Sequence, residues 1–117
     1  MVEMLLTMPN DLAQKIQPMR PWLPFVLELS LAGFKTPAAQ TASEIIDFLA
    51  TGPTPLEVMG YTVSEERQKR LRRLLALNQS GLLSPEEQAE LDEIEKIEHL
   101  MILLKARVQQ QLMPVAK

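Results

Sequence analysis

Between Pro85 and Pro114 the chain contains no helix breaker. The spacing predicts one helix over 85–113, more than twice the usual length in globular proteins. Its start is marked by Ser84-Pro85-Glu86-Glu87, which supplies a cap, a first-turn proline, an acid and a capping-box glutamate in order. Ile94, Ile97, Met101, Leu104 and Val108 then step by 3, 4, 3 and 4, and Leu91, Leu100, Leu103 and Leu112 widen the stripe. Every residue from Leu100 to Leu104 is apolar. A helix that is apolar all round must be covered on several sides. One antiparallel neighbour does not supply that cover. A homodimer is therefore expected, with Ile94, Ile97, Met101, Leu104 and Val108 in its interface.

A second helix precedes the first with opposite charge. Ser64 caps it, Glu65 and Glu66 suit its positive end, and Gly81 supplies a left-handed terminus. Leu71, Leu74, Leu75 and Leu77 form its apolar stripe. The two helices make a hairpin over 64–117. The charge is segregated: residues 1–63 hold six acids and three bases, 64–83 two acids and five bases, and 84–117 seven acids and four bases. The bases of the basic helix 65–77 are Arg67, Lys69, Arg70, Arg72 and Arg73. They can face the acidic helix, a partner protein or nucleic acid. No aromatic side chain is interleaved among them for base stacking.

Residues 1–63 read as a strand followed by short helices. Val2, Met4, Leu6 and Met8 alternate with Glu3, Leu5 and Thr7, which suggests a short strand ended by Pro9. A short helix follows, with Asn10 as its cap. Pro18, Pro21 and Pro24 let helix resume only beyond them, giving an apolar helix to about Leu31. Thr36-Pro37 with Gln40 predicts a capped helix to about Ala50. Thr54-Pro55-Leu56-Glu57 repeats the logic for one turn. The strand-then-helices order invites comparison with ribbon–helix–helix proteins, but an outward set of Glu3, Leu5 and Thr7 reads bases poorly. The strand is a possible dimer element. Trp22, between prolines, is either core or an anchor for a partner. The fold class is thus mainly α: a short N-terminal strand, an N-terminal helical module over 1–63 and a long C-terminal antiparallel hairpin over 64–117, in a single compact unit.

Little in the chain marks chemistry. Apolar residues make up 46% and aromatics 4%, so the core is mainly aliphatic. There is no cysteine, which excludes a thiolate metal site or a disulfide framework and fits a reducing cytoplasm. No apolar run reaches the roughly 18 residues of a membrane span. Glu3 and Pro9-Asn10-Asp11 break any signal-peptide pattern. His99 is the one histidine. With Glu95 it offers two ligands at most, and a helix-face ion pair is the simpler reading. The remaining acids read as a solvated face. No catalytic, metal or cofactor-binding residue is assigned.

Ser30-Leu31-Ala32-Gly33-Phe34-Lys35-Thr36-Pro37, Thr41 to Leu49, Gly52-Pro53-Thr54-Pro55, Arg70 to Asn78 and Ser84 to Glu93 resemble a family of small cyanobacterial proteins of unassigned function. The resemblance covers roughly residues 25–108. It implies an antitoxin-like or accessory protein that pairs with a toxin or nuclease, and carries no site residues. The expected function is a non-enzymatic, self-associating protein that binds a partner protein. The alternative is a nucleic-acid-binding regulator using the basic helix, and nucleic-acid binding by the isolated protein is not expected.

Overall fold

In a computed structural model that describes residues 2–112, six α-helices follow one another: α1 Asn10–Ile16, α2 Leu23–Leu31, α3 Ala38–Ala50, α4 Pro55–Met59, α5 Glu65–Gln79 and α6 Pro85–Leu112. A 3-10 turn, Gln17–Trp22, joins α1 to α2 and absorbs Pro18 and Pro21. The expected stop at Pro114 lies outside the described residues.

Local signals behave as local chemistry requires. Thr54 and Glu57 close a reciprocal capping box on α4. Ser84 and Glu87 do the same at α6, with hydrogen bonds of 3.0 and 3.1 Å. The Glu87 carboxyl is held below its ordinary range, first by the Ser84 backbone N–H. Ser64 Oγ accepts from Arg67 N at the head of α5. Gly81 adopts φ +69° after α5.

The start of α3 differs from expectation. Thr36 Oγ1 accepts from Ala38 N, but Gln40 does not close the box. Glu93, on α6, takes that role from 57 residues away. It accepts from Lys35 N at 3.0 Å, Thr36 N at 3.1 Å and Thr36 Oγ1 at 2.6 Å. Burial acts to raise the Glu93 pKa, but these hydrogen bonds outweigh it and the net direction is down.

The core is built around α6, which packs against α2, α3, α4 and α5. Leu91, Ile94, Ile97, Leu104 and Val108 meet Phe25, Val26 and Leu29 of α2, Ala42, Ile45 and Leu49 of α3, Val58 of α4 and Leu74 of α5 in one cluster. The same core runs through residues on both sides of position 64. Trp22 is buried in it, and its Nε1 donates to Pro53 O at 3.0 Å. That bond ties the 3-10 turn to the loop after α3. Gly52 completes the junction at φ +75°, where a Cβ would lie 2.9 Å from Pro18 O.

Three expectations are corrected here. No strand forms among the described residues: 2–8 run without regular structure, because a strand needs a hydrogen-bonding neighbour and this chain offers none. Trp22 is not a surface anchor, since both its ring and its N–H are satisfied internally. Ile94, Ile97, Leu104 and Val108 are covered by the chain's own helices and are not free to form a dimer seam, and Met101 is half-buried.

The molecule is also more open than expected. Its radius of gyration is 16.6 Å, against about 13 Å for a compact domain of this length. Its accessible surface is 8624 Å², against about 6,400 Å² for a folded monomer of this mass.

Two predictions follow from the junctions. Glu93→Gln lowers stability at neutral pH by about 1.5–3 kcal/mol. Because the folded pKa of Glu93 is depressed, its contribution is present above the ordinary carboxylate range and is lost as pH falls through the folded pKa. Urea melts of wild type and variant should converge on acidification. Equal separation at all pH values would show that the carboxylate charge is irrelevant. Gly52→Ala lowers the melting temperature more than Gly33→Ala. Both positions have left-handed φ, a penalty of about 1–2 kcal/mol for an L side chain. Only Gly52 also meets Pro18 O, while a Cβ at Gly33 meets nothing within 4 Å.

Candidate docking cleft

The basic helix is divided by function. Arg70 points inward: its Nε and Nη2 donate to Glu90 Oε2 and Oε1 at 2.9 and 2.7 Å. The Glu90 side chain is 3% exposed and that of Arg70 31%. The two-pronged geometry satisfies both carboxylate oxygens and raises the Arg70 pKa, chiefly through these hydrogen bonds. Arg67 is mostly covered, and its ion-pair partner is the exposed carboxylate of Glu66 at 3.3 Å. Lys69, Arg72 and Arg73 are exposed and form no ion pair among the described residues. The acidic helix therefore engages one base of the five.

The expectation of a wholly solvated acidic face fails at two positions. Glu90 is buried and Glu93 is committed to the α3 turn. Glu86, Asp92, Glu95 and Glu98 do face water. His99 and Glu95 are both exposed, and no ion pair joins them. Among the described residues no three metal-ligating side chains converge.

A cleft of about 370 Å³ opens where α3, the joint at 61–63, α5 and α6 meet. Its existence follows from how α5 is attached. Only Leu74 of α5 is fully buried. Leu75 of the expected stripe is exposed and Leu71 half-buried, so α5 does not close over α6 near its own start. Buried Ile45, Ile94 and Ile97 line the cleft with half-buried Leu71 and Met101. Ile102 is 66% exposed at its edge. Arg67, Lys105 and Glu98 are its charged members.

The joint forming one wall is fastened at both ends. Lys105 Nζ donates to Tyr61 O at 2.8 Å, and Gln68 Nε2 donates to Val63 O at 2.8 Å. The Ser64 N–H and hydroxyl donate to Glu44 of α3 at 3.1 and 2.9 Å. The Tyr61 ring stacks on Phe48 at 4.3 Å. Burial, then the Glu44 and Asp47 carboxylates, raise the Tyr61 pKa, so its hydroxyl stays protonated.

Of the residues singled out from sequence, Arg67 and Met101 reach the cleft together with Ile94 and Ile97. Lys69, Arg72 and Arg73 lie outside its lining, and Trp22, Leu104 and Val108 border a smaller recess of about 150 Å³. Sequence reasoning missed Tyr61, Gln68, Ile102 and Lys105. The one available signal was the unbroken apolar run Leu100–Leu104, which over-supplies what one chain covers: Ile102 and Leu103 remain exposed.

No known protein family, curated protein or solved structure matches the chain.

Arg70→Met should cost about 3–5 kcal/mol, because it leaves the Glu90 charge buried without its partner. Arg72→Met and Arg73→Met should fall within about 0.5 kcal/mol of wild type. Urea denaturation measures all three. If Arg70→Met matches the other two, Glu90 is solvated and the pair carries no structural weight.

Proposed function

We propose that this protein is a non-enzymatic, self-associating accessory protein of the antitoxin kind, whose cleft between α3, α5 and α6 takes an amphipathic segment of a partner protein. The observation that carries the reading is the cleft itself: over a floor of buried Ile94 and Ile97, the half-buried Leu71 and Met101 and the exposed Ile102 are open to a partner, and Arg67, Lys105 and Glu98 are the charged members. Apolar anchors in a groove with charges of both signs at the rim suit an inserted amphipathic helix or loop. The exposed bases Lys69, Arg72 and Arg73 lie on the side of α5 turned away from the cleft and offer a separate positive surface. A toxin or nuclease is the class of partner that the resemblance implies. No helix among the described residues is long and apolar enough to cross a membrane. The reading places the protein in the cytoplasm.

One observation favours the second reading. Lys69, Arg72 and Arg73 are free cations grouped on one exposed helix, and such groups contact phosphates. The net charge of −3 and the exposed acids of α6 oppose it at long range.

Co-expression with the product of the adjacent gene distinguishes the two. A stoichiometric complex should co-purify and should be lost with Ile102→Asp. That position is exposed, so the substitution leaves the fold intact. Retention of the complex by Ile102→Asp removes the cleft from the reading. If no complex forms, and the isolated protein binds duplex DNA at about physiological salt with loss in a Lys69→Glu, Arg72→Glu, Arg73→Glu variant, the regulator reading replaces it.

A further inference from the structure

Residues 2–7 are exposed, and Met8, at the junction with α1, is half-buried. Val2, Met4 and Leu6 are 84%, 78% and 64% exposed, and Leu5 is fully so. The helix that follows does not cover them within the single chain: α1 has no buried residue and leaves Leu12 exposed. A row of apolar side chains on an extended, unpaired backbone is a template for strand pairing.

We infer that this segment pairs antiparallel with the same segment of a second copy, about a two-fold axis at Leu5. The sequence is self-complementary in that register. Val2 faces the partner's Met8, Glu3 the partner's Thr7, Met4 the partner's Leu6 and Leu5 its own counterpart. Antiparallel pairing keeps residues of like parity on one face. Val2, Met4, Leu6 and Met8 of both strands therefore form a single apolar face, and Glu3 and Thr7 flank the Leu5 pair on the other. A slip of one residue would set Glu3 and Thr7 against apolar positions and place the even-numbered residues of one strand on the same face as the odd-numbered residues of the other. Slips of two residues shorten the overlap and move Glu3 away from the Thr7 hydroxyl. Pro9 has no N–H to continue the ladder and ends it.

A two-stranded ribbon is marginal alone, so its apolar face needs helices beneath it. The exposed Leu12 of α1 and Leu27 and Leu31 of α2 are available in both copies. The chain exposes about 2,200 Å² more than a folded monomer of its mass should, which leaves room for a standard interface of about 800 Å² per partner. Pairing also satisfies one hydrogen-bonding edge of each strand.

The inference rests on the self-association in the preceding reading and not on partner capture. The absence of cysteine in the chain permits a clean test on the full-length protein. Facing Cα atoms in an antiparallel pair lie about 4.5–5.5 Å apart, inside the disulfide range of about 4.4–6.8 Å. Under mild oxidation Leu5→Cys should run mostly as a linked dimer. Met4→Cys alone should not, because its counterpart is offset by two residues, but Met4→Cys mixed with Leu6→Cys should. Gln79→Cys, exposed on α5, reports random collision. Light scattering of wild type runs alongside, and deletion of residues 2–8 should convert dimer to monomer with helical content retained. A dimer in which Leu5→Cys links no faster than Gln79→Cys overturns the ribbon and keeps self-association. A wild-type monomer at tens of micromolar overturns both.

Discussion

Glu90 and Glu93 lie one helical turn apart on α6, and between them they hold the rest of the molecule to it. Glu90 receives Arg70 and so fixes α5. Glu93 receives the backbone of Lys35 and Thr36 and so fixes the start of α3. Both are carboxylates withdrawn wholly or partly from water, and each is tolerable because its oxygens are fully engaged. The apolar stripe of α6 supplies the driving force for collapse. Stripes are non-directional, however, and the same leucines and isoleucines could slide along their neighbours. The two carboxylates select one register for each neighbour.

That attachment also explains the cleft. α5 is clamped near its middle by Arg70 and buries Leu74 one turn further on, but its first turns are held only through the 61–63 joint. The joint is pinned to α5 by Gln68, to α6 by Lys105 and to α3 by Ser64 and Glu44, so the helices are kept apart at that end. An apolar recess stays open because polar contacts prop it, which is the arrangement of a preformed binding surface.

Most of the helical content was legible in the sequence because caps and stops are local chemistry. Thr54 finds Glu57 and Ser84 finds Glu87 three residues away, whatever else the chain does. Gly81 turns left-handed for the same reason. What was not legible depended on partners distant in sequence. Nothing near Thr36 indicates that Glu93 will displace Gln40, and nothing near Trp22 indicates that Pro53 will accept its N–H. The stripe Ile94 to Val108 was visible, but its period alone does not distinguish a dimer seam from a core, since both bury one helix face. The segment 2–8 shows the converse: its alternation is plain, yet a strand is defined by its neighbour, and within one chain it has none.

Surface area sets the remaining constraint on assembly. The excess of about 2,200 Å² over a folded monomer is larger than the roughly 800 Å² per partner that one standard interface removes. The ribbon inferred above would be one such interface. It uses none of the residues that line the cleft. The exposed Ile102 and Leu103, with the free bases of α5, would remain on the surface of such a dimer. A dimer built this way still presents two copies of an open apolar cleft. In such a dimer the ribbon and the cleft would occupy different parts of the surface, so the inferred self-association and the proposed capture of a partner do not compete.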